Sequence, residues 1–249
     1  MTLDGLYDIL LAAQFISAAF VFVALYFITV PYGRHTHTGW GPLVPSRPGW
    51  VVMELPAVLV IAALFATGDI TLVGTVFLCI WQLHYLQRTF IFPLLMRSGR
   101  GTSVVIVLFS VMFNVMNGWV NGWYLYRRAA YDVSWLGDPR FIVGLMVFIA
   151  GFVINLHSDH VLRTLRKPGE TGYKVPTGGL HRFVASPNYF GELLEWTGWA
   201  ILTWSLPGLA FAVFTAANLV PRAHAHRKWY RATFPDYPAA RKRIIPFIY

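Results

Sequence analysis

Charge is scarce in this chain. Only 12% of its 249 residues are Asp, Glu, Lys or Arg, against 56% hydrophobic and 16% aromatic. That is roughly half the charge of an average soluble domain. Acidic groups are the scarcer sign, 11 against 20 Lys and Arg, for a formal net charge of +9. Cysteine occurs once, as Cys79, which excludes an intramolecular disulfide and, inside an apolar run, reads as a small core residue. No GxGxxG after a strand and no GxxxxGKS/T occurs, so both soluble nucleotide grips are excluded. No HExxH occurs, and the HAH at 224–226 points its rings to opposite helix faces, so no metal site is expected. The alternation of a barrel strand is missing too.

What fills the chain instead is long apolar runs. Measured against a requirement of roughly 20 residues, they lie at about 6–30, 50–68, 71–95, 103–126 and 140–163. A last block, 189–221, is too long for one span and is interrupted at Ser205-Leu206-Pro207-Gly208, which splits it into about 189–205 and 207–228. The expected fold is therefore all-α, a polytopic membrane protein with seven transmembrane helices. Cations test the split. Arg34 and Arg47 follow the first span, Arg97 and Arg100 the third, and Arg163, Arg166, Lys167, Lys174 and Arg182 the fifth. Arg222, Arg227, Lys228, Arg231, Arg241, Lys242 and Arg243 crowd the tail. Only an odd number of spans leaves the N-terminus outside and all these segments cytoplasmic; Arg127, Arg128 and Arg140 in an outer loop are the exception. The positive charge thus reports topology rather than nucleic-acid binding. Asp4 and Asp8, with no basic region, mark the first run as a retained helix and not a signal peptide. With no repeat or linker, residues 1–249 are expected to form one domain.

Polar groups inside these runs ask for a reason. Glu54 sits near the start of the second span with Pro56 just behind it, and an ionisable group there costs several kcal/mol by insertion measures. Pro56 removes a backbone donor, so local polar partners are expected; a glutamate snorkelling to headgroups is the plainer reading. On the third span Trp81, Tyr85 and Arg88 share a face, in the company of Gln82, His84 and Gln87. Tyr85 could equally be an interfacial anchor. A buried carboxyl beside a phenol can hold a hydrogen-bond donor over a substrate oxygen.

The stretch NLHSDHVLRTLRKPGETGYKVPTGGLHRFVASPNYFGELLE, residues 155–195, holds much of the remaining polarity. Asn155, Asp159 and Arg166 fall within about 40° on a helical wheel, Arg163 near them, with Pro168 and Gly169 stopping the helix. His157 lies off that stripe as a structural hydrogen-bonder. Ser186 is placed as an N-cap before Pro187, and Asn188, Glu192 and Glu195 share the next helix face. Arg222, His226 and Tyr230 come later at spacing four, and Gly178-Gly179 would let backbone approach a ligand closely. Arg and Lys suit phosphates, Asn and carboxylates suit ribose or amide groups, so a nucleotide-like ligand fits. Intrahelical Asp–Arg pairing at the membrane edge is the alternative.

NLHSDHVLRTLRKPGETGYKVPTGGL, SPNYFGELLEWTGWAILTWSLP, FPDYPAARKRIIPFIY, MELP and LHYLQRTF together resemble the steroid 5-alpha-reductase family over nearly the whole chain. The resemblance implies seven membrane helices, NADPH as hydride donor and reduction of the C=C bond of a 3-oxo-Δ4 steroid or related lipid enone to the 5α-dihydro product. It places Glu54 and Tyr85 on the substrate's 3-oxo group. It places Asn155, Asp159, Arg166, Lys174, Asn188, Glu192, Trp196, Arg222, His226 and Tyr230 on the cofactor. Helices 1–4 would then form most of the substrate pocket and residues 150–249 most of the cofactor pocket. Met53 and Lys174 depart from the eukaryotic pattern, which has Gln and Arg there; the expected setting is a bacterial inner membrane. Membrane lipid is the expected surround, with no nucleic acid and no obligate protein partner. The Asn-Tyr-x-Gly-Glu core is also similar in isoprenylcysteine-type methyltransferases, so an S-adenosylmethionine-dependent membrane methyltransferase is the rival enzyme. A transporter or lipid-binding protein is the non-enzymatic rival.

Overall fold

Backbone hydrogen bonds close within helices along most of the described residues, as so apolar a sequence requires in lipid. The structure, a computed structural model, describes residues 2–31, 33–35, 39–96, 101–167 and 169–249. The loop cations Arg97 and Arg100 and the expected helix stop Pro168 lie outside the described residues, as does the side chain of Arg34. The helices are α1 (Leu3–Phe27), α2 (Ser46–Ala66), α3 (Leu72–Leu86), α4 (Phe92–Leu95), α5 (Val104–Trp123), α6 (Pro139–Thr164), α7 (Pro187–Thr203) and α8 (Leu206–Thr233). Among the described residues, five stretches are long and apolar enough to cross a membrane: Leu3–Phe27, Ser46–Ala66, Val104–Arg128, Pro139–Thr164 and Leu206–Thr233. The expected third span is one continuous helical run in which a π turn, Gln87–Ile91, joins α3 to α4. The expected sixth is α7, only 17 residues long.

Residue contacts gather into two compact units. The first comprises Met1–Gln14, Val30–Ile142 and Ser205–Pro207; the second comprises Phe15–Thr29, Val143–Trp204 and Gly208–Tyr249.

In the first unit α2 packs on α5 and α3. Glycines let α5 come close: a Cβ on Gly122 would lie 2.7 Å from the Leu64 side chain, and one on Gly118 would lie 3.4 Å from Val60. Trp50, Met53 and Val107 form a buried cluster at one end, under Phe92 and Met96. A two-residue antiparallel pair, β1 (Leu43–Val44) with β2 (Thr102–Ser103), brackets that end. Buried amides run along α5. Gln14 Nε2 donates to Asn117 Oδ1 at 2.9 Å, Asn121 Nδ2 donates to the same oxygen at 3.0 Å, and Asn114 Nδ2 donates to the Met53 carbonyl at 2.7 Å. Cys79 is exposed on α3, not buried: its neighbours Phe77 and Ile80 take the core face and helical spacing turns residue 79 outward.

In the second unit α6 and α7 touch backbone to backbone. A Cβ on Gly151 would lie 2.5 Å from Glu195 N and from the Gly191 carbonyl oxygen, and one on Gly191 would lie 2.6 Å from Asn155 N. Gly144 and Gly198 repeat the contact seven residues along each helix. Small residues are how helices approach where lipid supplies no hydrophobic drive between them. α7 ends at Trp204, whose backbone is left-handed (φ 45°), and α8 begins two residues later, so the break falls where the sequence places it. The tail pins the segment before α7: Lys242 N donates to the Phe183 carbonyl at 2.8 Å, and Ala185 N donates to the Lys242 carbonyl at 2.9 Å.

Candidate functional site

The first unit carries Glu54 and Tyr85. Glu54 is half-buried on α2, one residue past Met53 and two before Pro56. Pro56 offers no N–H to the Val52 carbonyl, and the helix is bonded from outside around this point. Asn114 reaches the Met53 carbonyl, Trp81 Nε1 donates to the Ala57 carbonyl at 2.9 Å, and Gln82 Nε2 donates to the Val58 carbonyl at 2.9 Å. Polar side chains thus bond main-chain carbonyls on both sides of Pro56, Met53 before it and Ala57 and Val58 after it. Tyr85 is buried on α3, its ring 4.9 Å from the Trp81 ring and 5.0 Å from that of His84. Arg88 falls in the π turn and its guanidinium lies over the Trp50 and Phe92 rings, at 4.9 and 4.4 Å. Trp50 Nε1 in turn donates to the Arg88 carbonyl at 2.9 Å. A wheel drawn with α-helical spacing does not carry through a π turn, so Arg88 is placed by those two rings rather than by its offset from Tyr85.

The second unit carries the rest. α6 and α7 bring together the amides and acids of residues 155–192. Asn155 Nδ2 donates to the Asn188 carbonyl at 3.0 Å, and Asn188 Nδ2 donates to Asp159 Oδ1 at 3.2 Å. Asn155 and Asp159 are buried, Glu192 is half-buried and Glu195 fully buried. Trp196 is buried in the core, 4.1 Å from the Phe211 ring and 6.2 Å from that of Phe148. α8 adds Arg222, His226 and Tyr230 on successive turns. Arg222 Nη1 donates to Asn218 Oδ1 at 3.1 Å and its guanidinium lies 5.5 Å over Tyr189. His226 stacks on Tyr189 at 5.3 Å and shares a hydrogen bond of 3.2 Å with the Ser186 hydroxyl through Nδ1. Tyr230 is buried, stacked at 5.2 Å and 9° on Tyr237. Burial pushes the Tyr237 phenol up, so it stays a neutral hydrogen-bonding group at any physiological pH.

Three local readings need correction. α6 ends at Thr164, so Arg166 is not on the Asn155–Asp159 stripe; it lies in the loop, where Nη1 donates to the Gly172 carbonyl at 2.8 Å. Ser186 precedes α7 as expected, but its hydroxyl makes no cap bond and goes to His226 instead. Gly179 (φ 54°) makes its close approach to His157, since a Cβ there would lie 2.9 Å from His157 Nδ1, and Gly178 packs on Val161. Those glycines seat the loop on α6. Lys174 is exposed, its Nζ 2.5 Å from Glu170 Oε2, and Glu170 Oε2 also accepts from Lys167 N at 2.8 Å. Tyr189 and Asn114 join these sites without standing out by residue type alone. Tyr189 stands one residue from Asn188 in the quoted core, and Asn114, Asn117 and Asn121 recur at helical spacing inside an apolar run.

Arg166, Lys174 and Arg222 supply cations, while Asn155, Asp159, Asn188 and Glu192 supply amide and carboxylate oxygens. Among the described residues no group of three or more His, Cys, Asp or Glu side chains could hold a metal ion.

Comparison with known proteins gives one consistent likeness. The family model described as 3-oxo-5-alpha-steroid 4-dehydrogenase matches residues 100–249. The chain is 43% identical over 256 residues to 3-oxo-5-alpha-steroid 4-dehydrogenase 1 of Rattus norvegicus, covering 100% of this chain and 98% of the relative. It is 42% identical to 3-oxo-5-alpha-steroid 4-dehydrogenase 2 of Homo sapiens, over 88% of this chain and 87% of that protein. It is 40% identical to steroid 5-alpha-reductase DET2 of Gossypium hirsutum, over 98% of both.

Proposed function

The chain belongs to the 3-oxo-5-alpha-steroid 4-dehydrogenase family, and on that premise we propose that it reduces the C4=C5 bond of 3-oxo-Δ4 steroids, with NADPH as reductant. The observation that carries this is the likeness to such enzymes from end to end of the chain. When bound, NADPH would supply the hydride that adds to the β carbon of the enone. That addition puts negative charge on the 3-oxo oxygen, so a hydrogen-bond donor waiting there lowers the barrier selectively. Tyr85 is the donor in this reading, its phenol held and polarised by Glu54. A proton from water completes the α carbon.

The cofactor is assigned to Asn155, Asp159, Arg166, Lys174, Asn188, Glu192, Trp196, Arg222, His226 and Tyr230. Arg166 and Lys174 would take phosphate, and the Asn155–Asn188–Asp159 chain would present ribose and amide partners. Trp196 would act through packing, given its place against Phe148 and Phe211. Seven spans are proposed, adding the run 72–95 and α7 to the five long apolar stretches, with the N-terminus outside and the C-terminus cytoplasmic. Nothing in the likeness or the geometry favours the methyltransferase reading.

One assay tests the whole. Purified enzyme is given NADPH and a panel of steroid and non-steroid enones, with product stereochemistry determined. Consumption of NADPH with formation of a 5α-dihydrosteroid is the expected result. No turnover of any 3-oxo-Δ4 steroid would overturn it.

A further inference from the structure

Trp81 is held at both ends. It is fully buried on α3, its indole Nε1 donates to the Ala57 carbonyl of α2, and its ring lies 4.9 Å from the Tyr85 ring at 32°. Ala57 comes three residues after Glu54 and just past Pro56. From the other side, the buried Asn114 of α5 donates to the Met53 carbonyl, the residue before Glu54. Between these two anchored carbonyls stands the proline that removes a helical hydrogen bond, the commonest cause of a bend in a helix. Two side chains therefore fix the main chain on both sides of the place where α2 is free to bend, and one of them also lies against Tyr85. An indole suits this duty: it is rigid, has two side-chain torsions and carries one N–H donor at a fixed angle.

We propose that Trp81 is a positioning residue for the reaction, setting the α2 backbone that carries Glu54 against the Tyr85 ring, with Asn114 as the second anchor. This rests on the assignment of Glu54 and Tyr85 as the pair that polarises the substrate carbonyl. A displacement of about 1 Å at a reacting centre can cost on the order of a hundredfold in rate, so the anchor is expected to show in turnover rather than in cofactor binding.

Trp81→Phe keeps an apolar ring beside Tyr85 and removes the indole N–H together with part of the ring's volume. It is expected to lower kcat on a 3-oxo-Δ4 steroid by about tenfold, with KM for NADPH unchanged. Gln82→Leu is the control. It removes a bond of the same kind, to the Val58 carbonyl on the same helix pair, from a side chain with no ring to place against Tyr85. It is expected to lower the melting temperature by a similar amount and leave kcat unchanged. Equal kcat in the two variants would overturn the positioning role. In a Tyr85→Phe background, Trp81→Phe is expected to cost less than about threefold further, because the group it positions is gone. An undiminished tenfold loss there would also overturn the proposal. Full activity of Tyr85→Phe alone would instead remove the assignment of the pair on which the proposal stands. Should Trp81→Phe fail to fold, Asn114→Leu is read through the same cycle.

Discussion

Glu54 is half-buried on α2, where neighbouring side chains bond the main chain before and after it, and Tyr85 is buried beside two aromatic rings. If these two polarise the carbonyl, Tyr85→Phe and Glu54→Gln should each lower steady-state turnover by roughly a hundredfold or more, the usual cost of one oxyanion donor. Turnover near that of the parent enzyme would remove them from the chemistry. Arg166 faces a different test. A guanidinium forks onto a phosphate, so Arg166→Ala should raise KM for NADPH by about tenfold while barely changing that for NADH. Equal losses with both cofactors would mean that Arg166 does not meet the 2′-phosphate. Asp138 lies in the loop before α6, where Arg140 donates to it from both backbone and guanidinium. Those bonds hold its carboxyl down at about 2 from an ordinary 3.8. The folded value is the lower one, so the stabilisation is present above 3.8 and is lost as pH falls through about 2. Asp138→Asn should flatten that part of a melting-temperature against pH curve, and an unchanged curve would discount the clamp.

At the scale of elements, the crossing of α6 and α7 is the sharpest prediction. Gly191→Ala places a methyl 2.6 Å from main-chain atoms of α6, where no side chain can swing aside. A loss of about 1–3 kcal/mol is expected, read as a lower melting temperature in detergent. Gly137→Ala, with nothing within 4 Å, should melt as the parent does. The same crossing explains what the sequence disclosed and what it hid. Asn155, Asp159 and Asn188 were readable because helical spacing puts them on facing stripes, and the structure joins them by hydrogen bonds. Arg166 was misread because the helix ends two residues before it, and no local signal separates a last turn from a loop of the same composition. Ser186 has the right residue type for a cap, but a tertiary partner, His226, displaces the local one. Gly144, Gly151, Gly191 and Gly198 stood in plain sight at spacing seven, yet only the partner helix shows that the two rows meet.

For the whole molecule, composition alone was enough for the helical class, because so apolar a chain must close its backbone bonds within helices. The span count is harder to read. Five stretches meet the length and apolarity of a membrane helix, while the run through Gln87–Ile91 carries Gln82, His84, Gln87 and Arg88 and α7 is short. The seven-span topology predicts that a reporter at the N-terminus is active outside and one at the C-terminus inside. Reporters on the same side would require an even number of spans.

The π turn itself carries a last consequence. In it the Phe92 N–H bonds back to the Gln87 carbonyl, five residues away instead of four. The turn is therefore one residue longer than the helix on either side. Deleting one residue between Gln87 and Ile91 would let an uninterrupted α-helix form with α4 facing as it does now, because five residues of a π turn rotate the chain about as far as four of an α-helix. Phe92 would keep its place beside Trp50, and Trp81 and Tyr85 would stay where they are. The extra residue is thus a local insertion, and its removal is felt inside the turn rather than beyond it.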